Sequence, residues 1–284
     1  MVLVSLAASA ASTSSPAPAP VAAAVVAGCA ASPLQPVHFT AGETLTFNID
    51  ALGADVGTAD LTLEPAPPEA RPRAAWAIRA HARTSAFVST NVKRYDAFVT
   101  SLLTRDFAPL RYKEELDEGE THKAQDIEFP PHDGQLSVHY TKNGEPDPVQ
   151  LAATAAARDL VSTFYLLREQ PLTPGAPFCL DVYAGKKMWR VSGQAAAREE
   201  IDTPLGHLPS VRIDISASRI DDPKVVRTAH VWVSDDARKL PLVAIAEIHG
   251  RVLRAQLTKV TGGRTAPRAR ASREEHPGTS GIGR

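Results

Sequence analysis

From Gly42 onward, apolar and polar side chains alternate with a period of two, and this rhythm limits what the chain can fold into. Leu45, Phe47 and Ile49 alternate with Thr44, Thr46 and Asn48. Beyond a turn at residues 53–57, Ala59, Leu61 and Leu63 alternate with Thr58, Asp60 and Thr62. Successive strand side chains point to opposite faces, so such a run buries one face and wets the other, which predicts a half-buried hairpin. Further strand-like runs at 76–84, 95–103, 110–116, 123–129 and 135–140 are separated by turn-forming stretches such as Pro130-Pro131-His132-Asp133-Gly134. The first half therefore reads as a meander. The pattern resumes at 178–183, 187–191, 198–201, 211–218, 225–233, 242–249 and 252–260, and Asp235-Asp236-Ala237-Arg238 has the polar chemistry of a tight turn.

Residues 155–169 break the rhythm. Leu160, Val161, Phe164, Leu166 and Leu167 recur near helical spacing, Asp159 sits in an early turn, and Pro171 and Pro174 forbid continuation. Many short antiparallel strands plus this one amphipathic helix predict a mainly β fold. The expected form is a strongly curved antiparallel sheet or incomplete β-barrel, with the helix covering its open side. Phe164, Tyr165, Tyr183 and Trp189 are then candidates to line an apolar ligand pocket beneath the helix, against the plainer reading that they are core. Asp159 and Arg168 bracket the helix and form a candidate polar site, against the plainer reading of a helix cap and a salt bridge to the sheet.

The two ends have a different character. The first 33 residues carry no charged side chain and resemble a leader. Within them Val26-Ala27-Gly28-Cys29 follows an apolar run and is similar to the lipobox of bacterial lipoproteins, where the Cys thiol takes a diacylglycerol. Cleavage after Ala8-Ser9-Ala10 and a plain Ala-rich tail are the alternatives; no basic residue precedes Arg71. No later segment approaches the ~20 apolar residues of a membrane-spanning helix, so membrane attachment is expected through a lipid on Cys29. Ala30 and Ala31 lack the Asp that retains many lipoproteins at the inner membrane, which favours the outer membrane of a Gram-negative envelope. Residues 261–284, with Arg264, Arg268, Arg270 and Arg273 and little to bury, read as a disordered basic tail.

Composition excludes some functions. Asp and Glu number 32 against 31 Lys and Arg, whereas a nucleic-acid binder needs excess cations to displace phosphate counterions. The only cysteines are Cys29 and Cys179, so with Cys29 lipidated or removed, Cys179 is expected to be a structural thiol without a partner. No Gly-x-Ser-x-Gly elbow, His-Glu-x-x-His or Cys-x-x-Cys occurs, and no cofactor is expected. His122, Asp126, His132, Asp133 and His139 match no metal-ligand spacing and read as exposed strand and turn residues. The acidic run at 114–120 could supply a general acid, but reads first as a solvated hairpin tip.

Several segments in order carry a resemblance. They are Phe39-Thr40-Ala41-Gly42-Glu43, residues 95–101 leading into Phe107-Ala108-Pro109-Leu110-Arg111-Tyr112, and residues 159–168 with Pro171-Leu172 and Gly175. Thr203-Pro204-Leu205-Gly206 and Val231-Trp232-Val233-Ser234-Asp235-Asp236 with Leu240-Pro241 complete the set. Over about residues 39–260 the chain resembles the domain-of-unknown-function 3108 family of exported bacterial proteins. The resemblance implies an envelope location and a β-rich fold, and supplies no catalytic residues. The expected organisation is a leader and linker at 1–33, one β-rich domain at 34–260 and the tail at 261–284. The expected function is that of a non-catalytic envelope lipoprotein facing the periplasm, its curved sheet binding an apolar ligand, a lipid or an envelope protein. An envelope hydrolase using Asp235, Asp236 or the Asp159/Arg168 pair, and a scaffold subunit, are the alternatives.

Overall fold

The computed structural model describes Cys29, Val37, residues 39–248 and residues 250–262. The leader expected before residue 29 and the tail after 262 lie outside the described residues. Two antiparallel meanders make up the protein. The first comprises β1 (Thr44–Ala51), β2 (Ala54–Pro65), β3 (Trp76–Thr84), β4 (Tyr95–Leu103), β5 (Pro109–Glu118), β6 (Thr121–Glu128), β7 (Gln135–Lys142) and the short β8 (Glu145–Pro146). A crossing segment follows, with β9 (Val149–Ala152), β10 (Arg158–Asp159) and the helix α2 (Leu160–Arg168). The second meander runs through β11 (Pro177–Ala184), β12 (Lys187–Thr203), β13 (Gly206–Arg219), β14 (Val226–Ser234), β15 (Pro241–Ile248) and β16 (Arg251–Thr261). A one-and-a-half-turn helix α1 (Ala86–Asn91), capped by the Ser85 hydroxyl, links β3 to β4.

Pairing of β1 with β16 fuses the two meanders into one sheet that runs from β10 to β8, and β9 pairs with β7. Every ladder is antiparallel except the two-residue pairing of β10 with β11. The sheet is an incomplete barrel, as the alternation requires: Leu45, Phe47, Ile49, Ala59, Leu61 and Leu63 line its inner face, each no more than 5% exposed. The outer face is polar, with Thr44 bonded to Thr62 (3.0 Å) and Thr46 to Asp60 (2.7 Å).

Backbone pairing does not close the barrel; side chains do. Tyr183 on β11 donates its hydroxyl to Gln125 on β6, Lys186 meets Asp147 at 2.6 Å and lies over the Tyr140 ring, and Thr154 donates to Asp181. The helix does more than cover the open side, because eight of its nine residues are buried and it fills the space inside the curve. Phe164 meets Phe47 edge-on, while Leu167 joins a second apolar cluster with Phe178, Ile213 and Val231 on the other meander. Chain geometry also explains two differences from the expected elements. The helix begins at Leu160 rather than near 155 because the preceding residues are drawn into pairing as β10. Residues 187–203 form one strand rather than two, since a bulge between Ala195 and Ala197 shifts the register and interrupts the alternation. In that strand Gly193 lacks the side chain that would strike the Phe178 ring at 2.7 Å.

Candidate functional site

The polar residues of the interior are organised around the two ends of α2. At its start Asp159 is fully buried and accepts from the Val161 and Ser162 amides (2.9 and 2.8 Å) and from the Ser101 hydroxyl (2.8 Å). These bonds satisfy helix N–H groups that have no partner within the helix. Burial nevertheless raises the Asp159 pKa, with the Ser162, Ser101 and Val161 donors offsetting part of the effect. At the other end Arg168 places one nitrogen 2.6 Å from Glu43 and another 2.9 Å from the Arg238 carbonyl, and its guanidinium lies 4.7 Å from the Phe39 ring centre. Three buried polar atoms near this end, Tyr165 Oη, Arg168 Nε and Gln170 Oε1, have no hydrogen-bond partner, which makes it the most expensive part of the interior to desolvate. Asp159 and Arg168 are thus separated by the length of the helix, roughly 13 Å at 1.5 Å per residue. They do not form a joint site.

A second polar group sits on the concave face of β5 and β6. Tyr112 donates to Glu114 (2.6 Å), Gln125 donates to the same oxygen, and Gln125 accepts from Tyr183. Burial raises the Glu114 pKa, against the Tyr112 and Gln125 hydrogen bonds and the nearby Lys123 charge. Next along the strand Glu118 is 5% exposed. Its burial would raise its pKa too, but hydrogen bonds from Lys123 and Lys93 outweigh that and lower it. The acidic run is therefore only in part a solvated tip: Glu115 and Glu120 are exposed, whereas Glu114 and Glu118 turn inward. Glu114 and Glu118 share the inward parity of Tyr112 and Leu116, while residue 115 faces out. That parity was available in the sequence and the local density of charge obscured it.

The remaining candidates are dispersed. Phe164, Tyr165 and Tyr183 are 6%, 0% and 1% exposed, packed among Phe47, Phe39, Phe107 and Tyr112, so they are core rather than pocket lining. Trp189 is not with them. It follows Met188, which pairs with Tyr183 and is buried in the core, so Trp189 faces the other side; its indole N–H bonds to the Ala184 carbonyl (3.2 Å) and Arg227 lies over its ring. Asp235 is paired with Arg198, and Asp236 caps its turn through Ser234, Arg238 and Lys239. His122 meets Asp117, Asp126 is held by Arg111 and Lys113, and the His132 ring meets Asp133 while its backbone pairs with Gln135, so these residues do not converge.

The cysteines overturn an expectation. Cys29 is disulfide-bonded to Cys179, 150 residues away, with a Cα separation of 5.4 Å. A sulfur in that bond has no valence left for the thioether of a lipid, and Cys179 is not an unpartnered thiol. The pairing was hidden because the lipobox-like run assigned Cys29 to the leader, whereas the structure places it beside the edge strand β11. Two shallow, open surface depressions lie among the described residues. One, of about 240 Å³, is lined by Leu172, Thr173, Arg198, Asp235, Asp236 and Lys239. The other, of about 440 Å³, is lined by Arg71, Arg73, Ala74, Ala75 and Arg105.

The family model described as protein of unknown function (DUF3108) matches residues 44–250. The chain belongs to this family. Among curated proteins none matches it. The DUF3108 barrel is similar to the solved beta-barrel-like protein of domain of unknown function DUF1849 from Brucella abortus. The TM-score is 0.53 at 10% identity, over 77% of this chain and 96% of that one. A candidate exported protein with a YmcC-like fold from Bacteroides fragilis gives a TM-score of 0.35 at 9% identity, over 82% and 100% of the two chains. The first likeness shows a common barrel-like fold and nothing about activity. Within this DUF3108 protein, interior features that sequence reasoning missed include the Glu43 partner of Arg168 and the inward-facing carboxyl of Glu114.

Proposed function

We propose that this protein works outside the cytoplasm as a non-catalytic component of the cell envelope, binding through its outer and end surfaces rather than in a hollow interior. The observation that carries this reading is the filling of the barrel by α2, whose aromatic and aliphatic side chains occupy the space an apolar ligand would need. The carboxylates that a hydrolase would use are engaged elsewhere: Asp159 caps α2, Asp235 is paired with Arg198, and Asp236 holds a turn. The Cys29–Cys179 disulfide supports the location, because such bonds persist in oxidising compartments and are rare in the cytosol.

Purification from fractionated cells tests both parts. The protein is expected in the envelope fraction with no free thiol, and organic extraction followed by mass spectrometry is expected to release no stoichiometric apolar molecule. Recovery from the cytosol with two free thiols would remove the location. A lipid retained at one per chain would remove the filled-barrel reading, and a diacylglycerol mass on Cys29 would restore the lipoprotein.

A further inference from the structure

The β2–β3 connection at residues 66–75 and the β4–β5 turn at 104–108 lie side by side, because the Ala75 amide donates to the Leu103 carbonyl at 2.8 Å. Arg71 and Arg73 on the first and Arg105 on the second line the 440 Å³ concavity, with Ala74 and Ala75 completing it. Arg71 is partly fixed, since its Nε donates to the Ala66 carbonyl at 3.0 Å and leaves its two terminal nitrogens available. Eight other arginines of the protein each hold a carboxylate within 4.0 Å: Arg79, Arg94, Arg111, Arg168, Arg190, Arg198, Arg212 and Arg219. Among the described residues, none of the three around this concavity does. Glu69 and Asp106, on the same two loops, form no ion pair with them.

Three guanidinium groups kept together without salt bridges, against two acids on the same loops, leave a local excess of positive charge that attracts an anion. Guanidinium forks match pairs of anionic oxygens, and a phosphoryl group offers oxygens to more than one fork at once. The concavity also lies at the end of the barrel where the described chain enters and leaves. Gly42 donates to the Leu63 carbonyl just before the 66–75 connection, and Gly262 packs against the Gly42 backbone. The sequence continues from Gly262 with Arg264, Arg268, Arg270 and Arg273 before its next acidic residue, Glu274. A flat anionic surface brought to this end meets Arg71, Arg73 and Arg105.

We infer that Arg71, Arg73 and Arg105 bind phosphoryl groups displayed by anionic membrane lipids, docking the barrel on a bilayer by this end. The inference rests on the envelope location proposed above, but its test uses purified protein and fails or succeeds independently of where the protein resides. The full chain is mixed with phosphatidylglycerol vesicles, phosphatidylcholine vesicles or inorganic phosphate, and binding is measured by co-sedimentation or calorimetry. Salt-sensitive binding to phosphatidylglycerol but not phosphatidylcholine is expected, weakened about tenfold or more in R71Q/R73Q/R105Q. The variant R264Q/R268Q/R270Q/R273Q is expected to keep a binding component that the first variant lacks, and K224Q/R227Q, at the opposite end, to bind as the parent does. Unfolding midpoints confirm that each variant is folded. Absence of vesicle binding, equal binding by R71Q/R73Q/R105Q, or loss confined to the tail variant overturns the inference. So does binding of inorganic phosphate without vesicle binding, which would identify a soluble phosphate as the ligand.

Discussion

Arg168 and Glu43 are 125 residues apart in sequence and 2.6 Å apart in the protein, with side chains only 2% and 5% exposed. Removing one partner strands the other charge away from water. Glu43→Ala is therefore expected to lower unfolding stability by about 3–5 kcal/mol, whereas replacing both together, Glu43→Leu with Arg168→Met, recovers most of the loss. Urea unfolding of the two variants measures this. A Glu43→Ala protein as stable as the parent would mean that the pair is not held as described.

The disulfide ties Cys29 to Cys179 on β11 across 150 residues of sequence. Reduction, or Cys29→Ser with Cys179→Ser, is expected to lower stability by about 2–5 kcal/mol, chiefly by freeing the unfolded chain. Thermal melts with and without reductant, paired with maleimide titration of the denatured protein, give the answer. Two reactive thiols before reduction would contradict the bond.

Opposite pH responses are expected from neighbouring acids on β5. Glu114 has a raised pKa in the folded state, so the fold holds its proton more tightly than the unfolded chain does. Stability from this group is complete below the unfolded pKa and declines as pH rises through the folded one. Glu118 has a lowered pKa and contributes stability above its unfolded value, lost as pH falls through the folded one. Glu114→Gln should therefore be more stable than the parent at about pH 8 and Glu118→Gln less stable; the first difference closes as pH falls to about 4, and the second closes only below it. Chemical unfolding across that range tests the signs.

Phe164 and Trp189 separate the filled interior from the outer wall. Phe164→Ala opens a void in the core and should cost about 3–5 kcal/mol. Trp189→Ala removes a half-buried ring from the other face and should cost clearly less. Equal losses in unfolding experiments would show that Trp189 is as deeply packed as the helix.

Much of the fold was legible because strand parity is a local property. The limits of β3 and β4 can be read directly from the runs at 76–84 and 95–103, and the break at α2 from its spacing and prolines. Depth was harder to read. Leu160 and its neighbours form an apolar stripe that describes a surface helix equally well, and only the closing of both meanders around it leaves Ser162, Thr163 and Arg168 buried as well. Long-range partners carried no local signal: nothing around Glu43 points to Arg168, and nothing around Cys29 points to Cys179. Trp189 does not join Tyr183 on the inner face, because Met188 takes the inward position opposite Tyr183 across the hairpin.

The ladder that joins β1 to β16 pairs Thr44 with Thr261, so β1, already paired with β2, finds its second neighbour in the last strand of the sheet. Until residue 251 has emerged, β1 and β15 each present an unsatisfied edge, and α2 has only part of the wall that will enclose it. Completion of this architecture thus waits for β16 to be made. Removing this one strand would leave two sticky half-shells instead of a smaller barrel.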